Sequence, residues 1–356
     1  MSRPDGKPLS APERRTRVWD PPGDATESAA QLALPGMAEE VSGEWTWTDD
    51  GGEMEPADYV HATVMRGEVV QALAPRTGGV YVDATVGGGG HSEALLEADP
   101  SVRVIALDRD EDALEASRAR LARFAPRVAF VHATFGSVAD VLRELGVATV
   151  AGLCADLGVS SPQLDLPERG MSFRREGPID MRMDRSSGET ALELVGRLDE
   201  RDLANVIFRY GDERRSRRIA RSLKRAYGEH DLHTTLDLRR AIVRGVGPVR
   251  VGGVDPATRT FQALRIAVNQ ELDELEALLR ALPGIVEEGG TAAVVSFHSL
   301  EDRLVKHAFL RGEAWAPLSK KPLVATEEET AQNVRARSAK LRAARRLPEG
   351  PGRPAR

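Results

Sequence analysis

From Tyr59 onward, short apolar runs alternate with stretches of helical period. Residues 80–84 (VYVDA), 102–107 (VRVIAL), 128–132 (VAFVH) and 150–155 (VAGLCA) are strand-length runs rich in β-branched residues. Helical segments at 92–97, 111–124 and 138–145 separate them. Strands alternating with helices predict a parallel sheet. The alternation stops near residue 166, and 166–250 reads as helices and loops. Thr190 and Glu193 have capping-box spacing, and helices are predicted over 214–227 and 235–244. Phe261, Leu264, Val268, Leu272, Leu275 and Leu279 recur at three and four residues, which predicts one long amphipathic helix. Strand texture returns at 291–297 (TAAVVSF), followed by a helix over 300–310. The late strand requires one α/β domain interrupted by a helical insert, and 356 residues suffice for both.

Composition refines this picture at the ends. Residues 1–56 mix Pro, Gly, Asp, Glu and Ser without an apolar period, which predicts a disordered acidic extension. The tail after Leu347 reads the same way. Residues 1–58 carry 13 acidic and 5 basic side chains, whereas 205–250 carry 12 basic and 5 acidic and 303–356 carry 13 basic and 5 acidic. Two basic segments suit a polyanion partner, although solvated helix faces give the same pattern. No apolar run approaches the ~18 residues of a membrane span, so no membrane partner is expected. The first residues lack a signal-peptide core, so a cytoplasmic protein is expected. The single cysteine, Cys154, excludes a disulfide framework and a cysteine zinc cluster.

Candidate chemistry gathers at the ends of the predicted strands. Asp83 is followed by a turn containing Gly87, Gly88, Gly89 and Gly90, then His91 and Ser92 at a helix start. Glycines let a backbone approach a ligand closely, and the helix start offers free N–H groups. Such a turn holds a pyrophosphate in dinucleotide enzymes, and it equally suits the methionyl part of S-adenosylmethionine. Asp108 ends the second strand, 18 residues after Gly90, where a carboxylate accepts from both ribose hydroxyls. Together these point to an adenosine nucleoside without separating the two cofactors. As an alternative, Asp108 caps the helix that follows it.

The loop after the fourth strand, 156–165, lies on the same side of a doubly wound sheet. Its Ser161-Pro162-Gln163 resembles the Ser/Asp-Pro-Pro-aromatic motif of amino-group methyltransferases. There a side chain and a carbonyl accept from an exocyclic amine, and a ring stacks on the base. Gln163 stands where the ring would be; Phe135, Phe173 and Phe297 are the candidates to replace it. Residues 174–184 alternate charge and Met as a surface loop that includes Arg182 and Asp184. His298 sits at the exit of the returning strand. HExxH, CxxC, GxSxG and P-loop patterns are absent from the sequence, which weakens protease, hydrolase and NTPase readings.

Over residues 59–345 these blocks resemble the bacterial S-adenosylmethionine-dependent methyltransferases that modify N4 of a cytosine in small-subunit ribosomal RNA. The matching blocks are 61–64, 83–92, 107–110, 156–165, 168–173, 180–184, 210–213, 258–269, 296–303 and 333–342. Val334 departs from the usual Pro, and the acidic extension is not a family feature. The resemblance implies a class I Rossmann-like sheet over 57–165 and 258–318. It also implies a helical RNA-recognition insert over 166–257 and a basic C-terminal segment over 319–356. It places Gly89, Gly90 and His91 at the methionine end of the cofactor, Asp108 at the ribose and Phe135 at the adenine, with Asp156 and Gln163 completing the site. Ser161 and Pro162 would receive the target amine, with no metal. Arg182, Asp184, Arg214, Arg218 and His298 would contact 16S rRNA or the small ribosomal subunit. Lys224 and the C-terminal segment would add basic contacts, and a homodimer is a further expectation.

Overall fold

The computed structural model describes residues 63–248, 255–311 and 313–348. The acidic extension and residues 349–356 lie outside them. The chain enters through α1 (Arg66–Leu73) and then alternates: β1 (Val80–Asp83), α2 (Gly90–Ala98), β2 (Arg103–Asp108), α3 (Glu111–Arg120), β3 (Val128–His132), α4 (Val138–Glu144) and β4 (Val150–Asp156). A short α5 (Ser161–Asp165) leads to the helical insert of α6 (Ala191–Arg197), α7 (Glu200–Gly211), α8 (Ser216–Gly228), α9 (Thr235–Val246) and α10 (Thr258–Asn269). The chain returns through α11 (Glu271–Ile285) to β5 (Val286–Ser296) and α12 (Ser299–Arg311). It ends with β6 (Trp315–Pro317), β7 (Leu323–Val324), α13 (Glu327–Gln332) and β8 (Lys340–Arg346).

The sheet runs β3-β2-β1-β4-β5-β8-β6, with β7 also paired to β8. β1 to β5 are parallel, and β8 is antiparallel to β5, β6 and β7. The order turns back between β1 and β4, so the carboxyl ends of those two strands open a crevice where ligands bind in such sheets. Alternate side chains feed two cores. Val82, Ile105, Leu107, Leu153 and Ala292 face α4, α11 and α12, and Tyr81, Val104, Ala106, Ala293 and Leu341 face α1 and α2. This two-sided burial explains the nearly continuous apolar runs of the parallel strands.

The insert has its own core, including Leu203, Ile207, Ile219, Leu223, Leu238 and Ile242. The Thr190–Glu193 capping box forms as its spacing predicts. One sequence expectation needs correction. The apolar period from Phe261 to Leu279 is not one helix. Gln270 adopts φ 52°, ψ 34° and divides it into α10 and α11. Phe261 and Leu264 of α10 join the insert core, whereas Leu275 and Leu279 of α11 join the sheet core. The period survives the break because each half satisfies it on its own. The basic C-terminal segment contains a strand that the local pattern does not predict. Its residues 340–346 form a strand inside the sheet. Arg342 donates to Asp302 (2.7 Å), and Arg346 donates to the Pro283 carbonyl (2.9 Å). Alternation among Ala and Arg hides a strand whose arginines are satisfied by neighbouring elements.

Candidate functional site

The glycine turn after β1 is built for close approach. Gly89 takes φ 83° at the cap of α2, a conformation that disfavours any side chain. A Cβ on Gly90 would run into the Thr63 side chain. Asp83 is fully buried beneath the turn and accepts from Ser92 Oγ (2.7 Å). Burial raises its pKa. His91 is buried beside it, with Nε2 3.6 Å from Asp156 Oδ2. Burial alone would lower the His91 pKa, but the Asp156 and Asp83 carboxylates outweigh it and raise it. Both His91 ring nitrogens and Asp156 Oδ1 are buried without a hydrogen-bond partner. Asp83 and Asp156 end β1 and β4, the two strands that flank the crevice.

Asp108 closes the neighbouring strand. Its Oδ2 accepts from Gly87 N–H and its Oδ1 from Asp110 N–H, both at 2.9 Å. Burial pushes its pKa up to about 6, against these two bonds. The alternative role for Asp108 falls to Asp110, whose side chain accepts from Asp112 N–H as the cap of α3. Phe135 stands half-buried three residues beyond β3, in a turn tied to α11 by Gly136 N–H donating to Glu274 Oε2 (3.0 Å).

The loop after β4 is held against this cradle. Ser160 caps α5, and Gln163 Oε1 accepts from Ser160 N–H (2.9 Å) in a complete capping box. Gln163 Nε2 donates to Asp110 Oδ2 (2.7 Å), so both ends of the buried amide are engaged. Ser161 is buried and Pro162 exposed at the first turn. The Phe297 ring lies against Gly158, where a Cβ would meet it at 3.4 Å. Sequence reasoning passed over the side chain that organises this region. Arg169 is buried, bridges Asp110 and Asp112, and donates to the Met183 carbonyl (2.7 Å). Asn269 meets the same loop, accepting from Met183 N–H (2.8 Å) and donating to the Met181 carbonyl (2.7 Å). The only signal for either was membership of the blocks at 168–173 and 258–269.

The predicted substrate contacts are dispersed. Arg182 is folded onto Asp180 (2.8 and 3.0 Å), and Asp184 accepts from Ser186 and Ser187 within its own loop. Arg214 and Arg218 are exposed at the start of α8. Lys224 turns inward and donates to the Val195 and Gly196 carbonyls at the end of α6. His298 lies apart, paired with buried Glu301 (3.1 Å). Ligand atoms of Glu271, His298 and Glu301 fall within 4.8 Å of one another. Arg265 already occupies both oxygens of Glu271, each at 2.8 Å, and supplies the cationic charge there.

Three carboxylates at the strand ends, a glycine turn and unpartnered buried polar atoms suit a ligand that is cationic at one end and carries ribose hydroxyls. S-adenosylmethionine has that chemistry. Among the described residues, no helix is long and apolar enough to cross a membrane.

The sequence matches the MraW methylase family over residues 58–347. It is 62% identical over 292 residues to the ribosomal RNA small subunit methyltransferase H of Sorangium cellulosum, covering 82% of this chain and 92% of that one. It is 50% identical over 297 residues to the protein of the same name from Trichormus variabilis, covering 83% and 95%. An rRNA methylase structure from Streptococcus thermophilus aligns over 80% of this chain and 94% of that one, with 10% identity and a TM-score of 0.37. The chain belongs to the MraW methylase family, and its parallel sheet has a Rossmann-like strand order.

Proposed function

We propose that this protein methylates ribosomal RNA of the small subunit, transferring a methyl group from S-adenosylmethionine to the N4 amine of a cytosine in the decoding region of 16S rRNA. The observation that carries this reading is the placement of the loop at 157–163. It leaves β4 at the turn-back of the sheet, beside the glycine turn that leaves β1. Its cofactor cradle and the 62% identity to a protein named for ribosomal RNA methylation support the same reading. The cytoplasm, where ribosomal RNA is found, is the expected compartment.

In this reading Gly89, Gly90 and His91 hold the methionine end of the cofactor and Asp108 accepts from its ribose hydroxyls. Phe135 borders the adenine, and Asp156 takes the cationic end. When bound, the cofactor would supply a methyl group on a sulfonium, electrophilic enough for an amine to displace, and the amine's proton would pass to water. The chain's work is to position the amine. Backbone carbonyls around Ser160–Ser161 and the Ser161 hydroxyl accept from the amine, drawing its lone pair out of conjugation. Gln163 does not stack; it braces the loop on Asp110. Phe297, packed on Gly158, is the ring best placed to border the base.

Unstacking the cytosine costs on the order of a few kcal/mol. Phosphate contacts offset that cost. The exposed arginines Arg214, Arg217 and Arg218 supply them, and Arg182 and Asp184 shape the adjoining loop. The test is methyl transfer from labelled S-adenosylmethionine to small subunits that lack the modification, followed by nuclease digestion and nucleoside mass analysis. N4-methylcytidine is the expected product. A different methylated nucleoside would overturn the N4 assignment, and label in protein alone would overturn the RNA assignment.

A further inference from the structure

Three segments that the cofactor cradle does not use converge on one cavity of about 170 Å³. Its walls come from the end of α7 (Tyr210, with Asp212 just beyond), from α10 (Arg259 and Gln262) and from the turn into α12 (His298 and Ser299). A cavity of roughly 150 Å³ takes up benzene when its walls are apolar. This one is of similar size but polar, so it suits a six-membered ring with hydrogen-bonding edges.

The polar groups on its walls are fixed. Gln262 donates to the Tyr210 carbonyl (3.2 Å), which leaves its Oε1 as an acceptor. Glu301 Oε2 accepts from Phe297 and His298 N–H (2.9 and 3.3 Å), and Glu301 N–H donates to His298 Nδ1 (3.4 Å). With Nδ1 accepting, Nε2 carries the proton. Nε2 is buried and faces Glu301 Oε1 at 3.1 Å, so His298 stays on that carboxylate and fixes the turn into α12. The first-turn N–H groups of Ser299 and Leu300 have no carbonyl of their own helix to bond. The exposed Arg259, which donates to the Asp212 carbonyl (3.2 Å), places one cation at the mouth beside the Asp212 carboxylate.

Both pyrimidines present a donor beside an acceptor, which matches Gln262 Oε1 and the first-turn N–H groups of α12. None of Gly89, Gly90, His91, Asp108, Asp156 or the loop at 157–163 lines the cavity. A base seated in it is therefore a different base from the one at the methyl donor. We propose that this cavity seats a pyrimidine of the substrate RNA that flanks the methylated cytosine, with Gln262 and the first-turn N–H groups of α12 bonding its edge and Arg259 holding its phosphate. The proposal rests on the RNA-methyltransferase reading above.

The test uses the full chain with Gln262→Leu, which removes the acceptor at similar volume, and Ser299→Trp, which blocks the mouth. Each variant is expected to raise KM for unmodified small subunits about tenfold, as removing one or two buried hydrogen bonds does. Both kcat and S-adenosylmethionine affinity should stay within about twofold. In the wild-type protein saturated with S-adenosylhomocysteine, cytidine and uridine 5′-monophosphates should give saturation-transfer NMR signals. Adenosine 5′-monophosphate should give weaker ones, and Gln262→Leu should lose the uridine signals, since cytidine also has the target pocket beside the cofactor. Unchanged KM in both variants, or uridine signals that survive Gln262→Leu, overturns the proposal. A fall in kcat at unchanged KM places the target base itself in the cavity and overturns the flanking assignment. If the wild type methylates no subunit yet its uridine signals vanish in Gln262→Leu, the pyrimidine site stands and the RNA-methyltransferase reading falls.

Discussion

Arg169 and Asp110 form a buried ion pair across 59 residues of chain, with Nη2 2.7 Å from Oδ2 and Nη1 3.2 Å from Oδ1. The same Asp110 carboxylate accepts from Gln163, and the Asp110 N–H donates to Asp108. One bonded network thus joins the carboxylate assigned to the ribose, the loop assigned to the target amine and, through Met183, the loop at 180–184.

Arg169→Ala leaves Asp110 buried beside Asp108 without its cation. The expected cost is about 3–5 kcal/mol, because a buried charge that loses its partner keeps its desolvation penalty. Thermal unfolding measures it. Arg169→Lys should recover part of the stability and less of the methyl transfer, since one ammonium cannot span Asp110, Asp112 and the Met183 carbonyl at once. Equal melting temperatures for Arg169→Ala and wild type would mean that the network does not hold these loops together.

Asp108 gives a pH signature. Its carboxyl stands at about 6, raised by burial from an ordinary 3.8. Ribose hydroxyls donate to the ionised form, so S-adenosylmethionine affinity should fall by up to about tenfold per pH unit below 6. For folding the sign is opposite. Between 3.8 and about 6 the folded chain keeps a proton that the unfolded chain has lost, so this group's contribution declines as pH rises through that window. Calorimetric titration of wild type and Asp108→Asn checks both: the variant should bind weakly, with a flat pH profile.

Two glycines separate backbone strain from collision. Gly170 takes φ +66°, and a Cβ there would strike the Pro178 carbonyl; Gly188 takes φ +80° with nothing within 4 Å of a Cβ. Gly188→Ala should cost about 1–2 kcal/mol, the left-handed penalty alone. Gly170→Ala should cost more, because rigid backbone must move as well. Denaturant unfolding of the two variants gives the difference directly.

Salt dependence identifies the RNA face. Each of Arg214→Ala, Arg217→Ala and Arg218→Ala should weaken RNA binding and lower the slope of log K against log salt by about 0.7–0.9 for each phosphate no longer neutralised. Lys224→Ala and Arg342→Ala should leave the slope unchanged, because Lys224 is spent on the end of α6 and Arg342 on Asp302. A slope change in Lys224→Ala with none in Arg218→Ala would move the RNA to another face.

The alternating runs at 80–84, 102–107, 128–132 and 150–155 determined four parallel strands to within a residue or so. Burial on both faces leaves an apolar run that local pattern reveals. The positions of Gly89, His91, Asp108 and Asp156, at strand ends and at the helix start after β1, were legible for a related reason: strand ends are visible in sequence. Tertiary structure alone decided the rest. It placed β1 beside β4, which depends on packing between segments some 70 residues apart. It broke the 261–279 period at Gln270, since a helical period cannot report a single left-handed residue. It made β8 from a run that local composition assigns to solvent, because Asp302 and the Pro283 carbonyl satisfy its arginines only once the chain has folded. It also drew Tyr210, Gln262 and His298 to one cavity, a relationship among three separate segments that no local pattern encodes.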